Sequence, residues 1–228
     1  MGRSIEEIAL TRGHQIIEKI DVENAGMLDN LDYSRIDAAI EFSQPEAAFE
    51  NIRKCLLCGL KVISGTTGWL NKKQEIEELC REQEGTFFYA SNFSIGVNLF
   101  FRLNRHLAQL MSDYEEYGVK IEEIHHTEKK DAPSGTAITL AEGIMDHNHR
   151  IKSWEKGGNA PSGSLGIESF REGAVPGTHI VTYFSGIDQI EIKHEAFSRQ
   201  GFALGAVLVA EWIRDYSGIL TMDDFLGF

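Results

Sequence analysis

The sequence predicts an α/β protein in two parts: a layered domain on a parallel sheet and an α+β domain with a mixed sheet. Three observations predict it. Over residues 37–89, short β-rich runs (37–42, 61–64 and 86–89) alternate with helical periodicities, the pattern of parallel strands joined by crossover helices. Over residues 165–194, three runs of period-two alternation (165–170, 179–184 and 189–194) follow one another without a helix between them. Residues 201–216 are apolar almost all round, as a buried helix is.

The composition narrows the function. The 228 residues suffice for one large domain or two small ones, and 42% hydrophobic with 25% charged residues is ordinary for a globular protein. A formal net charge of -13 argues against nucleic acid or an anionic membrane surface as partner. An anionic ligand must then be drawn by local positive groups, which screening over about 8 Å allows. Cys55 and Cys58 have C-x-x-C spacing within a helical run, but no second pair accompanies them, so small core residues are expected rather than a redox or zinc centre. His147 and His149 have no ligand cluster near them in sequence, and no metal site is expected. No apolar run approaches the roughly 20 residues of a membrane span, and no signal peptide is visible. The expected location is the cytoplasm.

Taken in order, Ile5, Ile8 and Ala9 mark a first helix, with Gly13 in the position just past its end. Residues 15–20 read as a strand ending at Asp21. The spacing from Gly2 to Asp21 suits the last glycine of a G-x-G-x-x-G turn and the acidic residue that accepts adenine ribose hydroxyls about 20 positions later. The strand and glycines that open such a unit are not in this sequence. The expectation is a Rossmann-like nucleotide-binding domain with its first strand missing. Residues 24–35 are a connection. After the strand at 37–42, Ser43 as N-cap and Pro45 open a helix burying Phe49, Ile52 and Leu56, which ends at Gly59. The strand at 61–64 runs into Gly65, Thr66, Thr67 and Gly68, at the carboxyl end where open α/β sheets bind ligands. Asn71 and Gln74 form a capping pair for a helix with Ile76, Leu79 and Cys80. The strand at 86–89 leads through residues 90–98 to an amphipathic helix with Phe100, Leu103, Leu107 and Leu110.

The chemistry concentrates at 119–137. Val119 and Ile121 alternate with polar residues as a half-buried strand does, while Ala137, Leu140, Ala141 and Ile144 follow helical spacing from a start near Ser134, Gly135 and Thr136. Between them stand His125, His126, Lys129 and Lys130. On extended backbone the two histidines point to opposite sides and cannot share a role. Lys129 can reach back toward either. The free N–H groups at the helix start suit a carboxylate or phosphate. Together these groups suit an anionic substrate that gains or loses a proton. Residues 147–163 read as a long loop, and His179 and His194 as alternating strand residues.

The string Glu123, His125, His126, Lys129, Asp131, Ala132, Pro133, Ser134, Gly135, Thr136, Ala137 closely resembles the signature of the dihydrodipicolinate reductase family. Residues 90–98 resemble a second family segment, and residues 218–226 its C-terminal pattern. The resemblance implies an NAD(P)H-dependent oxidoreductase of lysine and diaminopimelate biosynthesis, acting on 4-hydroxy-tetrahydrodipicolinate, a small dicarboxylate. It implies His125 as proton donor and acceptor, Lys129 as proton donor, and His126, Gly135 and Thr136 as substrate-binding residues. Asp21, Gly65, Thr66, Thr67, Ala90, Ser91, Asn92 and Phe93 are implied cofactor contacts. It also implies a nucleotide domain of residues 1–93 and 204–228, a substrate and oligomerisation domain of residues 94–203, and a homotetramer. Asp21 disfavours a 2′-phosphate, and Val22 stands where some members carry arginine, so NADH is favoured over NADPH. The alternative is a non-catalytic or impaired homologue, should the first strand be truly absent.

Overall fold

The computed structural model describes residues 1–158 and 160–228. In chain order the elements of its first half are α1 (Gly2–Thr11), β1 (Ala38–Glu41), α2 (Pro45–Leu57), β2 (Lys61–Ser64), α3 (Lys73–Glu82), β3 (Thr86–Tyr89), α4 (Ile95–Met111) and β4 (Gly118–His125). There follow α5 (Gly135–His147), β5 (Ser153–Lys156), β6 (Ser164–Arg171), β7 (Gly177–Phe184), β8 (Gln189–Ala196), α6 (Gln200–Trp212), β9 (Gly218–Leu220) and α7 (Met222–Leu226). The chain divides into two compact units, Met1–Ile95 with Gln200–Phe228, and Gly96–Arg199. No helix among the described residues is long and apolar enough to cross a membrane.

The first unit holds a wholly parallel sheet in the order β1-β2-β3-β9. Its inner strands, β2 and β3, are buried on both faces. Val62 and Phe87 pack with Ile52, Leu56 and Ile76 of α2 and α3, while Ile63 and Phe88 pack on the other face with Ile5, Ala203 and Val207 of α1 and α6. Helix α1 stops as its sequence requires. Gly13 takes a φ of +88°, which glycine adopts without steric cost, and His14 N–H closes onto the Ala9 carbonyl at 3.0 Å.

Several expectations are corrected here. Residues 15–20 are not a strand. A strand needs a hydrogen-bonded neighbour, and the sheet begins at β1, which pairs with β2. The apolar residues of the segment still pack, Ile16 with the α1–α6 core and Ile20 with the α2–α3 cluster. The N-cap of α2 is Gln44, with Pro45 in the first turn, because the Ser43 side chain is taken by Glu41. Asn71 lies in a 3-10 turn and α3 starts from Lys72 with no side-chain cap, Gln74 reaching forward to Glu78 instead. Cys55 and Cys80 are buried but Cys58 is exposed.

The second unit holds a mixed sheet in the order β5-β6-β4-β7-β8, with β4 at its centre, parallel to β6 and antiparallel to β7. Helices α4 and α5 cover one face, where Phe100, Ala108, Leu140 and Ile144 meet Ile121, Leu165 and Val181. Helix α4 buries Val97, Phe100, Asn104, Ala108 and Met111, and leaves Leu103 and Leu110 exposed. Asn104 sits in the middle of the buried stripe, donating to the Leu140 carbonyl at 2.9 Å. A polar residue there hides the true face from a search for leucine spacing. The loop expected at 147–163 is shorter, since α5 runs through His147 and β5 pairs in parallel with β6; Asn159 lies outside the described residues.

Candidate active site

The second unit assembles its chemistry on β4. Period two puts Glu123 and His125 on one face, and the antiparallel register sets His179 of β7 directly opposite Glu123. All three are buried, Glu123 completely. The Glu123 Oε2 atom lies 3.5 Å from His125 Nδ1 and 3.8 Å from His179 Nε2. The two imidazoles meet edge to face, with centroids 5.1 Å apart. On the other side Arg171 Nη2 donates to Glu123 Oε1 at 3.2 Å, and the Ser134 N–H donates to both carboxylate oxygens at 3.1 and 3.0 Å.

Burial sets the protonation of this cluster. It opposes charge on Glu123, but hydrogen bonds from Ser134 and Ser169 and the nearby His125 outweigh it and hold the carboxyl below its ordinary range. Burial also lowers the His125 pKa, with Glu123 working against that and Lys129 and Arg171 reinforcing it. His179 is pushed down to about 3 by burial and by His125, so it is neutral at physiological pH. One atom each of Glu123, His125 and His179 lie within 4.8 Å of one another, the disposition a divalent cation needs. The Arg171 guanidinium on the carboxylate opposes such a cation electrostatically, so the cluster suits proton handling better.

The signature loop leaves β4 and returns to α5. His126 points away from His125, and its Nε2 accepts from Arg199 Nη2 at 3.2 Å. Lys129 turns to Asp131 rather than to either histidine, its Nζ 2.8 Å from both carboxylate oxygens. The Ala132–Pro133 peptide is cis. Ser134 then caps α5, its Oγ accepting the Ala137 N–H at 3.2 Å and lying 3.1 Å from His179 Nε2. Gly135 and Thr136 hold the first turn, where N–H groups lack partners inside the helix. A Cβ on Gly135 would meet nothing within 4 Å, so this end is open to a ligand.

The first unit carries the expected cofactor residues at the carboxyl ends of β2 and β3. Gly65 follows β2 with its N–H on the Glu41 carbonyl at 3.0 Å, and a Cβ there would fall 2.2 Å from the Phe42 ring. Thr66 is buried, its hydroxyl donating to Glu41 Oε1 at 2.8 Å, so this loop offers a ligand its backbone and the exposed Thr67. Glu41 also accepts from Ser64 Oγ at 2.6 Å and from Ser43 Oγ at 2.5 Å, which makes it the anchor of the whole loop. After β3, Ala90 and Phe93 are buried and Ser91 is exposed, while Asn92 Oδ1 accepts the Ser94 N–H at 2.9 Å. Asp21 is exposed on the connection after α1, its Oδ1 accepting the Glu23 N–H at 2.9 Å. A parallel sheet whose strand ends present a tight glycine loop fits a dinucleotide. Replacing Glu41 with alanine strands the buried hydroxyls of Ser64 and Thr66, and we expect KM for NADH to rise roughly tenfold (about 1.4 kcal/mol). Steady-state kinetics against cofactor concentration checks this, and an unchanged KM would show the loop to be held without Glu41.

Comparison with known proteins decides the family. Residues 1–93 match the model of the dihydrodipicolinate reductase N-terminus, and residues 96–226 match that of its C-terminus. The chain belongs to the dihydrodipicolinate reductase family. It is therefore an oxidoreductase. It is 51% identical over 229 aligned positions to a 4-hydroxy-tetrahydrodipicolinate reductase of Christiangramia forsetii, covering all of this chain and 94% of that relative. A 4-hydroxy-tetrahydrodipicolinate reductase of Methanosarcina barkeri is 38% identical, with 99% of this chain and 85% of the relative covered. Among solved structures, the dipicolinate-bound dihydrodipicolinate reductase from Paenisporosarcina sp. TG-14 superposes with a TM-score of 0.68 at 21% identity, over 93% of this chain and 82% of that one. That likeness is one of fold.

In this reductase the structure brings Gly135 and Thr136 to a capped helix start and buries His125 as one member of a cluster. Sequence reading missed the rest of that cluster. Glu123 was visible only as a signature position, His179 as one more residue of an alternating strand, and Arg171 not at all. The register of β4 between β6 and β7 gathers them, and register is a tertiary property. Glu41 was missed for the same reason, since beyond the nearby Ser43 its partners Ser64 and Thr66 lie 23 and 25 residues away.

Proposed function

We propose that this reductase converts 4-hydroxy-tetrahydrodipicolinate to tetrahydrodipicolinate in lysine and diaminopimelate biosynthesis, with NADH favoured over NADPH. The observation that carries the reading is a buried imidazole, His125, at the carboxyl end of β4, on the loop that leads to the open N-terminus of α5. The N–H groups of Gly135 and Thr136, at the positive end of the helix dipole, donate to a substrate carboxylate. His126, already beside Arg199, adds a second polar contact for the dicarboxylate. His125 transfers a proton, and its depressed pKa makes its charged form a ready donor. Lys129, its Nζ 2.8 Å from the Asp131 carboxylate, supplies a second proton. Asp21, Gly65, Thr66, Thr67 and residues 90–93 hold the dinucleotide. When bound, the nicotinamide supplies a hydride to C4 of the ring; the 4-hydroxyl leaves as water, and of the protons exchanged with the substrate one is returned to the protein, so that a hydride and one proton are taken up in all.

Cofactor choice rests on Asp21 and Val22. A carboxylate accepts ribose hydroxyls and repels a 2′-phosphate, and Val22, 90% exposed, offers no cation to offset that repulsion. The test is cofactor oxidation in a coupled assay, with an upstream synthase generating the labile substrate. Substrate-dependent NADH oxidation is expected, with kcat/KM for NADH above that for NADPH. No oxidation of either cofactor would sink the assignment, and a clear NADPH preference would sink the role given to Asp21.

A further inference from the structure

We propose that Glu123 is the positioning residue of His125, a fixed carboxylate that orients the imidazole for proton transfer and ties it to the substrate-binding end of α5. The inference rests on the reading of His125 as a proton donor and goes beyond it to the group that prepares it.

Glu123 is held by hydrogen bonds from two sides. One oxygen receives Arg171 Nη2 at 3.2 Å, and both receive the Ser134 N–H at 3.1 and 3.0 Å. Arg171 is itself held, donating to the carbonyls of Phe170 at 2.7 Å and Asp131 at 2.6 Å. The second oxygen, Oε2, is thereby aimed at His125 Nδ1, 3.5 Å away, a buried ring nitrogen with no hydrogen-bond partner among the described residues. A small closure on substrate binding converts that approach into a hydrogen bond, the way catalytic contacts tighten in a working complex. With Nδ1 turned to the carboxylate, Nε2 is the nitrogen left to exchange a proton. Gly177 clears the space beside it, since a Cβ there would stand 3.1 Å from Nε2. Ser134 is the N-cap of α5, so one carboxylate fixes both the imidazole and the helix start that receives the substrate.

The charges around His125 make the proposal testable by sign. Glu123 on β4 and Asp131 on the loop favour the imidazolium, whereas Arg171 on β6 and Lys129 on the loop disfavour it. His179 on β7 faces it as a neutral ring, backed by His194 on β8. The experiment is an NMR titration of 13C-labelled histidine in the full chain and in two variants, Glu123→Gln and Arg171→Met. Glutamine keeps an acceptor for the Ser134 N–H but removes the charge, so the His125 titration moves acidward. Removing Arg171 moves it alkaline. Two opposite shifts are not what general loosening of the fold produces. In the coupled assay Glu123→Gln lowers kcat by at least about tenfold with KM for the substrate within about threefold, the signature of an interaction made in the transition state.

A His125 titration that Glu123→Gln leaves unmoved or moves alkaline overturns the proposal, whatever Arg171→Met does. Should Glu123→Gln fail to fold by its thermal melt, Glu123→Asp, which keeps the charge but withdraws it from Nδ1, takes its place and must move the titration acidward. The NMR readout needs no turnover. Absence of reductase activity in the wild-type chain would therefore remove the functional reading and leave the positioning of the ring to be judged on its own.

Discussion

Replacing His125 with glutamine lowers kcat by about 10²–10⁴-fold, the range general acid–base catalysis supplies. The side chain is the buried imidazole of the signature loop, and glutamine keeps polarity and approximate length without a titratable proton. Binding of NADH, read by fluorescence, stays within about twofold of wild type, because the residues proposed to hold the cofactor lie in the other unit. The pH dependence carries the sign. Burial depresses the His125 pKa below the ordinary value of 6.5. If the imidazolium donates the proton, kcat/KM in the wild type declines as pH rises through that depressed value, on the acid side of 6.5. The glutamine variant lacks this limb, since nothing at position 125 titrates. A variant within threefold of wild-type kcat would show that His125 is not the proton donor.

Gly205→Ala should be the most damaging single methyl in the first unit. Gly205 lies within α6, and a Cβ there would stand 1.8 Å from the Phe93 carbonyl oxygen and 2.8 Å from its carbonyl carbon. The obstacle is backbone, so no side-chain rotation relieves it, and α6 or the segment 90–93 must move. Overpacking of this kind costs about 1–3 kcal/mol. At roughly 2–4 °C per kcal/mol for a chain of this size, the higher end lowers Tm by about 6–12 °C. Phe93 is also an expected cofactor contact, so the Kd for NADH should rise together with the loss of stability. Gly26→Ala is the control, because a Cβ there meets nothing within 4 Å. A Gly205→Ala melt indistinguishable from that control would show that the helix yields freely at this contact.

Local rules made much of the fold legible. Residues 61–64 and 86–89 are strands with the expected bounds, and the stripe of Ala137, Leu140, Ala141 and Ile144, from a start near Ser134, is α5 as read. These features need only neighbours within a turn or a strand. Where the expectation failed, a distant partner decided. Residues 15–20 have the composition of a strand but no strand beside them, and Ser43 surrenders its cap to Glu41. The exposed leucines of α4 show that hydrophobic type and burial part company when a buried asparagine finds a carbonyl.

The same division runs through the site. The order of residues alone identified the family and singled out His125, Lys129, Gly135 and Thr136, because a signature is a linear object. It also indicated that His125 and His126 part, since adjacent residues on a strand face opposite ways. Only the tertiary structure set Glu123, Arg171, Ser134 and His179 around His125, and turned Lys129 onto Asp131. The reason is physical. Burial and the pairing of β4 with β6 and β7 create the low-dielectric cluster in which these groups shift one another's protonation, and neither burial nor pairing is a property of any one stretch of chain.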